Sequence, residues 1–478
     1  MSLKKITAAC MAGLMALSLT ACRGTPAETA EITPPALIDA ELRIDYTEDP
    51  AVLEHVETLQ ASFEDPTETD ASDFTMEETD GGLIVKSYDG SAARVRIPAQ
   101  VGGVAVVAIA DAAFAGKEAL TSLYIPDSIR TLGSGILSGA SNLQALRTPL
   151  LGKSATDTEP YLGYLFFSPS EQSSTADYRD NPICVPASLK YLEIGGMKNL
   201  PAYALYDCNK LECLRLSETV ETVGAFALYN CKSLLAVNVD GLMSLDTYAL
   251  ADCSALTRLD FGTRLTKIGF AALEGCGGLR RMTLPFIGGS ATENTYLSYL
   301  FGAADVEFSK GYIPPYLFEI TVTAATSLDD CAFYECHTLM HVKLPETLAQ
   351  IGTRAFAGCV RLEEIVFSTA LQRIGENAFF GCYNLKTVIF AENGTLNSMG
   401  VNAFYNCVSL AAVSLPLSLK VLPASAFAGC RSLTEVDLGG VESVGKNAFR
   451  NCSLLAVVKS GGGVKLEKGN DALKKLLK

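Results

Sequence analysis

Cysteine is the residue of this chain whose type and spacing could most readily do chemistry. Fifteen cysteines occur in 478 residues, and ten of them occupy the same point of a repeated pattern. These ten ladder cysteines are Cys208, Cys231, Cys253, Cys276, Cys336, Cys359, Cys382, Cys407, Cys430 and Cys452. Zinc sites join close pairs of ligands, but here each cysteine stands alone in its unit, with only Cys208/Cys213 and Cys331/Cys336 as near pairs. The spacing therefore predicts no metal site.

We interpret the ladder cysteines as small buried residues of a stacked array. Equivalent residues of stacked strands lie about 4.7–4.9 Å apart, which is within the Cα range that a disulfide allows. Side chains in such a ladder run parallel, however, and an odd number of thiols, 13, remains when Cys10 and Cys22 near the N-terminus, discussed below, are not counted. Disulfides between neighbouring units stay the alternative.

Histidine adds little further chemistry. The chain has three, of which His337 and His341 are spaced i, i+4 in "HTLMH". On a helix this spacing would suit zinc, but Thr338 stands where a metalloprotease has its general-base Glu, and the segment falls at a strand position. No Walker loop, nucleotide-binding glycine pattern or catalytic triad in recognisable context occurs. We therefore predict no enzyme and no cofactor, and a hydrolase is the least favoured function.

The cysteines belong to a repeat that must position them. "GTRAFAGCVRLEEIVF" begins at Gly352, and "GENAFFGCYNLKTVIF" begins at Gly375. Most intervals between units are 22 or 23 residues. Each unit is predicted to contain a short strand, a second extended run, a turn at a glycine such as Gly352 with positive φ, and "AFAGC" as one helical turn. No unit can bury its apolar side alone, so the units must stack as a solenoid.

The series of "GxxAFxxCxxLxxVxLP" motifs resembles the BspA-like leucine-rich repeats of bacterial surface proteins, over roughly residues 82–459. The unit "GSGILSGASNL" departs from the pattern, with Leu137 in place of Phe and Ala140 in place of Cys. The resemblance implies an α/β repeat solenoid, a right-handed superhelix of short strands and single-turn helices. It also implies adhesion to host matrix proteins, host cells or other bacteria. It transfers no functional residue, because the binding surfaces of the family vary.

The N-terminus resembles a bacterial lipoprotein signal. Lys4 and Lys5 precede an apolar run that ends in Leu19-Thr20-Ala21-Cys22. This resemblance implies that residues 1–22 form the signal peptide and that Cys22 carries the lipid. The mature protein would then be an extracytoplasmic lipoprotein, anchored to a membrane at the bacterial cell surface.

Composition divides the rest of the chain. Residues 23–72 are predicted to be an acidic tether with a short helix near 50–63, and residues 73–109 a strand-rich cap. The solenoid is expected over 110–460, followed by a C-terminal tail at 461–478. The net charge is −15, yet residues 23–80 alone hold 17 Asp and Glu against two Arg. The remainder is nearly neutral, which argues against a nucleic-acid partner.

Two insertions interrupt the repeat, near 150–182 and 287–312. They contain the near copies "SATDTEPYLGYLFF" and "SATENTYLSYLFG". Six rings correspond between them: Tyr161, Tyr164, Phe166, Tyr296, Tyr299 and Phe301. Either these rings pack the insertions onto the solenoid, or some face outward as candidate binding residues.

Two positions in each repeat strand are expected to point outward. They read Ala145/Arg147, Cys213/Arg215, Ala236/Asn238, Arg258/Asp260, Arg281/Thr283, His341/Lys343, Glu364/Val366, Thr387/Ile389, Ala412/Ser414 and Glu435/Asp437. The basic candidate binding residues are Arg215, Arg258, Arg281, His341 and Lys343. A small apolar patch and then acidic residues follow. This face would suit an extended protein partner or an anionic polymer, and the alternative is an ordinary solvated face.

These observations predict a lipid-anchored protein-binding module, most consistent with an adhesin. The expected partners are host matrix or bacterial surface proteins, with membrane contact through the N-terminal lipid only. A structural envelope protein that binds peptidoglycan or neighbouring surface proteins is the alternative. A small-molecule substrate is not favoured.

Overall fold

A computed structural model describes residues 54–59, 67–167, 179 and 181–477. The predicted signal peptide, Cys22 and most of the predicted tether lie outside these residues. The described chain winds as a parallel β-solenoid of about 16 turns. This confirms the repeat fold, and we refer to each turn of the solenoid as a rung.

Every rung contributes one strand to a front sheet. Its strands pair in parallel, in three consecutive segments. The front strands are Arg94–Arg96, Ser122–Tyr124, Ala145–Thr148, Tyr191–Ile194, Cys213–Leu216, Ala236–Val237, Arg258–Asp260, Arg281–Leu284, Glu319–Val322, His341–Lys343, Glu364–Val366, Thr387–Ile389, Ala412–Ser414, Glu435–Asp437 and Val457–Lys459.

Two-residue strands form a back sheet on another side of the rungs. They are Thr131–Leu132, Asn199–Leu200, Thr222–Val223, Ser244–Leu245, Lys267–Ile268, Ser327–Leu328, Gln350–Ile351, Arg373–Ile374, Ser398–Met399, Val421–Leu422, Ser443–Val444 and Lys465–Leu466. The back sheet is interrupted at both insertions, whereas the front strands on either side of each insertion still pair.

The first rungs are covered by longer strands. Phe74–Thr79 pairs antiparallel with Gly82–Tyr88, which lies parallel to Val104–Ile109. Val104–Ile109 also pairs with Gln100–Val101 and, in parallel, with the first back strand. These pairings close one end of the solenoid.

Helices are few. Residues 54–59 are helical, and the other α-helices among the described residues are Asn181–Cys184 and Asp471–Leu476. Short 3₁₀ helices occur at Ala71–Asp73, Leu162–Leu165, Leu297–Phe301 and Val306–Gly311.

The expected single-turn helix of each repeat is a pair of tight turns instead. In the rung of "AFAGC", the Ala357 amide donates to Arg354 and the Cys359 amide to Phe356, at 3.0 and 3.1 Å. Arg354 and Gly358 both have positive φ, of 55° and 79°. Left-handed residues on both sides of the turn prevent continuous α-helical bonding.

The prediction that Gly352 has positive φ is wrong, because the left-handed residue is Arg354, two positions later. A Cβ atom on Gly352 would lie 2.5 Å from backbone atoms of Asp329 and Asp330 in the preceding rung. Glycine is required here by the close approach of two backbones rather than by its own dihedral angle.

Phenylalanine rings stack through the core at the Ala-Phe position. Phe333, Phe356, Phe379 and Phe404 follow one another with 4.9 Å between ring centroids and interplanar angles of 16° or less. All four are completely buried. The rung spacing brings these rings into near-parallel contact, and their burial supplies the apolar area that no single repeat could bury.

The ladder cysteines are buried beside this stack, as predicted, and none of the ten forms a disulfide. Eight of their thiols donate to a backbone carbonyl of the preceding rung at 3.1–3.3 Å. Cys382, for example, donates to Phe356 and Cys407 to Phe379. The disulfide alternative is therefore wrong, and the thiols contribute hydrogen bonds between rungs.

Candidate binding surface

The front sheet places the predicted basic residues in register. Side chains alternate along each strand, so that Leu259 is buried while Arg258 is exposed. Arg258 is paired with Arg281, and the same row continues through Glu319 to His341. Lys343 lies on the same strand as His341, in the adjacent row. Four of the five basic candidates therefore lie within four consecutive strands of the front sheet.

Carboxylates neutralise this group of basic residues. Glu319 lies 3.4 Å from Nε of Arg281 and 2.7 Å from Nζ of Lys343, and Arg258 pairs with Asp260. Burial tends to raise the pKa of the Glu319 carboxyl, but the hydrogen bond from Lys343 and the nearby Arg281 outweigh it and hold that pKa below its ordinary value. The positive charge of this group is therefore largely compensated within the sheet.

Sequence reasoning missed Glu319 because its strand directly follows the second insertion, where the repeat pattern is broken. The signal was nevertheless present. In "LFEITV" the apolar residues alternate as in the regular units, which places Glu319 and Thr321 at the outward positions. The structure has the register that this alternation predicts: Glu319 pairs with His341, and Thr321 pairs with Lys343.

The two spaced histidines do not meet as metal ligands. His341 begins a front strand and is exposed, whereas His337 lies in the preceding turn and contacts Glu335 at 2.6 Å. Among the residues that the structure describes, no three His, Cys, Asp or Glu side chains converge as a cluster that could hold a metal ion.

The N-terminal half of the front face differs from the expectation, because Ala145, Arg147 and Cys213 are buried rather than exposed. Arg147 pairs with Asp127 at 2.7 Å and Glu193 at 3.1 Å. Its guanidinium also lies over the ring of Tyr124 and donates to a backbone carbonyl. Ala145 and Cys213 lie under the helix at 54–59.

The C-terminal half of the front face is open. Val366 and Ile389 are in register on adjacent strands and remain 49% and 44% exposed. Exposed Lys343 precedes them in the same row, and half-buried Asp437 follows two strands later. We define Val366 and Ile389 as the front apolar patch. The front apolar patch therefore lies between a basic residue and an acidic one in the same row.

The six matching rings of the insertions are buried or half-buried. Tyr161, Phe166 and Phe301 are buried. The half-buried Tyr164 and Tyr296 donate their hydroxyls to the carbonyls of Leu132 and Ala303, both at 3.2 Å. Tyr299, also half-buried, lies edge-on to Phe270 and Tyr296. The structure thus favours the packing interpretation, and these rings do not form an exposed patch.

Each insertion helix replaces the turn of its rung. The amide of Leu137 donates to Leu165, and the amide of Leu273 donates to Leu300, as regular turns do from rung to rung. The exposed rings here are different ones, namely Phe308 and Tyr312 in the second insertion and Tyr316 just after it. They follow the duplicated segment, so comparison of the two insertions could not identify them.

A family model described as "BspA type Leucine rich repeat region" matches six copies, at residues 100–158, 186–309, 316–416 and 350–464. The chain belongs to the BspA-type leucine-rich repeat family. The matched ranges contain the front apolar patch and most of the second insertion, whereas residues 159–185, which include most of the first insertion, lie between two of them. No curated protein matches the chain.

Several solved structures are similar at low identity. A leucine-rich repeat protein from Bacteroides ovatus is 20% identical, with a TM-score of 0.34, over 84% of this chain and 99% of that one. A leucine-rich cell surface protein from Faecalibacterium prausnitzii is 20% identical, with a TM-score of 0.30, over 84% and 96%. The pneumococcal vaccine antigen PcpA is 16% identical, with a TM-score of 0.30, over 84% and 99%.

No helix within the described ranges is both long enough and apolar enough to cross a bilayer.

Proposed function

We propose that this BspA-type repeat protein is a lipid-anchored, surface-exposed adhesin that binds a protein through the C-terminal half of its front face. The observation that carries the proposal is the front apolar patch. Val366 and Ile389 are each more than two-fifths exposed, on a sheet whose other outward side chains are mostly polar or charged. Binding energy concentrates in a few residues near the centre of an interface, and exposed apolar side chains with a polar margin mark surfaces of this kind.

The charged margin supports a specific orientation of the partner. Lys343 and His341 lie on one side of the patch, while Glu435 and Asp437 lie on the other. A partner with an acidic end and a basic end would dock in one direction along the rungs. The extended shape of the surface suits a protein better than a small molecule.

The proposed location rests on the sequence. The signal-like residues 1–22 end at Cys22, and an acidic segment separates them from the first strands. A lipid on Cys22 would attach the solenoid to a membrane outside the cytoplasm. An envelope protein that binds peptidoglycan would share this attachment and remains the second candidate.

The test is a binding screen on residues 23–478 with Cys22 replaced, against purified matrix proteins, mucin, peptidoglycan and whole cells. We expect saturable binding to a protein. The double variant Val366→Asp, Ile389→Asp should weaken it by about 2 kcal/mol or more, the loss typical of a hot spot. Affinity would be measured by surface plasmon resonance, after circular dichroism has shown that the variant is folded.

Val421→Asp is the matched control. Val421 is 58% exposed, but it lies on the back sheet, so its substitution should leave binding unchanged. Equal loss in both variants would contradict a front-face site. Binding to peptidoglycan alone would support the envelope function instead.

A further inference from the structure

The helix at 54–59 lies on the front face of the N-terminal half. Its side chains Val56 and Leu59 pack against Ala145, Tyr191 and Cys213. Those three residues are in register on adjacent front strands, at positions that alternate with the core. They are nevertheless only 5%, 2% and 1% exposed.

The burial of these residues is unusual for their row. Farther along the solenoid, the same outward row contains Arg258, His341, Glu364 and Ala412, and all four are exposed. The residues under the helix also differ in chemistry. Three small or apolar side chains, Ala145, Cys213 and Ala236, flank one tyrosine there. We call Ala145, Tyr191, Cys213 and Ala236 the front window.

A polar contact fixes the helix at the edge of the window. Nε2 of His55 lies 2.7 Å from Oε2 of Glu212, and the other oxygen of Glu212 lies 2.9 Å from Nζ of Lys190. Glu54 and Glu57 of the helix are exposed. The helix thus turns two apolar residues to the window, one histidine to its margin and its carboxylates to solvent, which is the pattern of an amphipathic helix in a groove.

We propose that the front window is a docking site for a short amphipathic helix, and that residues 54–59 of the same chain are its ligand. The docked helix closes the N-terminal half of the front face. The front apolar patch lies several strands away and stays exposed, so a protein partner would bind there. This last statement rests on the proposed function, whereas the docking itself does not.

Cys213 provides a direct readout of docking. The ladder cysteines point into the core, but Cys213 is on the outward row and is covered by the helix. Release of the helix would expose its thiol without unfolding any rung. The rate of alkylation at Cys213 therefore reports how often the window opens.

The experiment compares maleimide labelling of the full mature chain, with Cys22 replaced, and of its Val56→Asp, Leu59→Asp variant. Labelled sites are identified by peptide mass spectrometry. We expect Cys213 to react faster in the variant by about tenfold or more, because charged side chains do not pack on the apolar window. Glu57→Gln, at an exposed position of the same helix, should react like the unsubstituted chain. Cys382 should stay unlabelled throughout, which shows that the solenoid is folded.

A peptide with the sequence of residues 49–63 supplies the second arm. Added to the double variant, it should slow labelling of Cys213, and a peptide carrying the same two Asp substitutions should not. Equal Cys213 rates in the unsubstituted chain and the double variant would overturn the proposal. Protection that disappears on dilution of the unsubstituted chain would overturn docking within one chain and indicate exchange of helices between two copies. Neither labelling experiment uses a binding partner. Failure of the proposed function would therefore leave the docking proposal untouched, and the reverse also holds.

Discussion

At the scale of single residues, the ladder cysteines have a structural role that their regular spacing only partly revealed. Eight of the ten thiols donate to a carbonyl one rung away, and that carbonyl also accepts an amide within its own rung. Phe356, for example, accepts both the thiol of Cys382 and the amide of Cys359. Cysteine is small enough to fit beside the phenylalanine stack and still bring a donor to this position.

Burial makes these thiols unreactive. It raises the pKa of Cys276 and Cys452 to about 12, and it raises that of Cys382 as well. Because a raised pKa lowers the thiolate fraction, we expect iodoacetamide at pH 8 to leave these three unmodified in the folded chain. Cys184, which is partly exposed and outside the ladder, should react.

Peptide mass spectrometry measures the alkylation. All of these cysteines should react once the chain is denatured, which serves as the control for reagent and detection. Modification of Cys382 in the folded protein would contradict the role of the ladder as a closed, buried array.

At the scale of the element, the repeat depends on a turn with two special positions. The first is a glycine that touches the backbone of the preceding rung. The second has positive φ and is occupied by Asn377, Asn402 and Asn447 in three of the rungs. Asparagine tolerates this conformation better than most residues, so its recurrence directly before the Ala-Phe pair is a consequence of the turn.

The requirement for glycine at the close approach between rungs can be tested with the variant Gly375→Ala. A Cβ atom there would lie 2.4 Å from the carbonyl carbon of Gly352 in the preceding rung, and neither backbone can move without disturbing the stack. We expect a loss of about 1–3 kcal/mol in the free energy of unfolding, measured by urea denaturation followed by circular dichroism.

Gly241→Ala is the matched control, since no atom lies within 4 Å of its added Cβ. This change should alter the free energy of unfolding by less than about 1 kcal/mol. A similar loss in both variants would show that close approach is not what selects glycine at position 375.

At the scale of the whole molecule, the pairing of rungs is weakest at one point. The front sheet breaks between Thr387–Ile389 and Ala412–Ser414, and the back sheet breaks between Ser398–Met399 and Val421–Leu422. These breaks fall between the same two rungs, whereas other breaks affect one sheet at a time. The rung before them is longer than its neighbours, with an Asn393-Gly394 turn. Across this seam the turn layer continues, including the stacked rings of Phe404 and Phe427.

Hydrogen exchange should therefore reveal a boundary there. We expect the amides of Ala412–Ser414 to exchange faster than those of Glu364–Val366 and Glu435–Asp437, because the former lack a paired front strand on one side. Mass spectrometry of peptic peptides would measure the rates. Equal protection of the three strands would show that the turn layer alone holds the rungs together.

Much of this architecture could be predicted from the sequence. A period of 22–23 residues with fixed apolar and glycine positions admits one solution, since each unit must bury its apolar side on the next. The same alternation predicts the outward orientation of Arg258, His341, Val366 and Ile389 from the sequence. Local periodicity sufficed because the contacts that build a solenoid are between equivalent positions of adjacent rungs.

The tertiary structure decided which outward positions are accessible. Glu319 reaches Arg281 and Lys343 only because the second insertion leaves the sheet and returns in register. Cys213 is buried because a helix more than 150 residues earlier in the chain lies over it. Such contacts join segments that share no repeat and no periodicity, so their energies depend on where the folded chain places them. The sequence alone determined the scaffold and its rows, and the folded molecule determined which part of the front face is open to a partner.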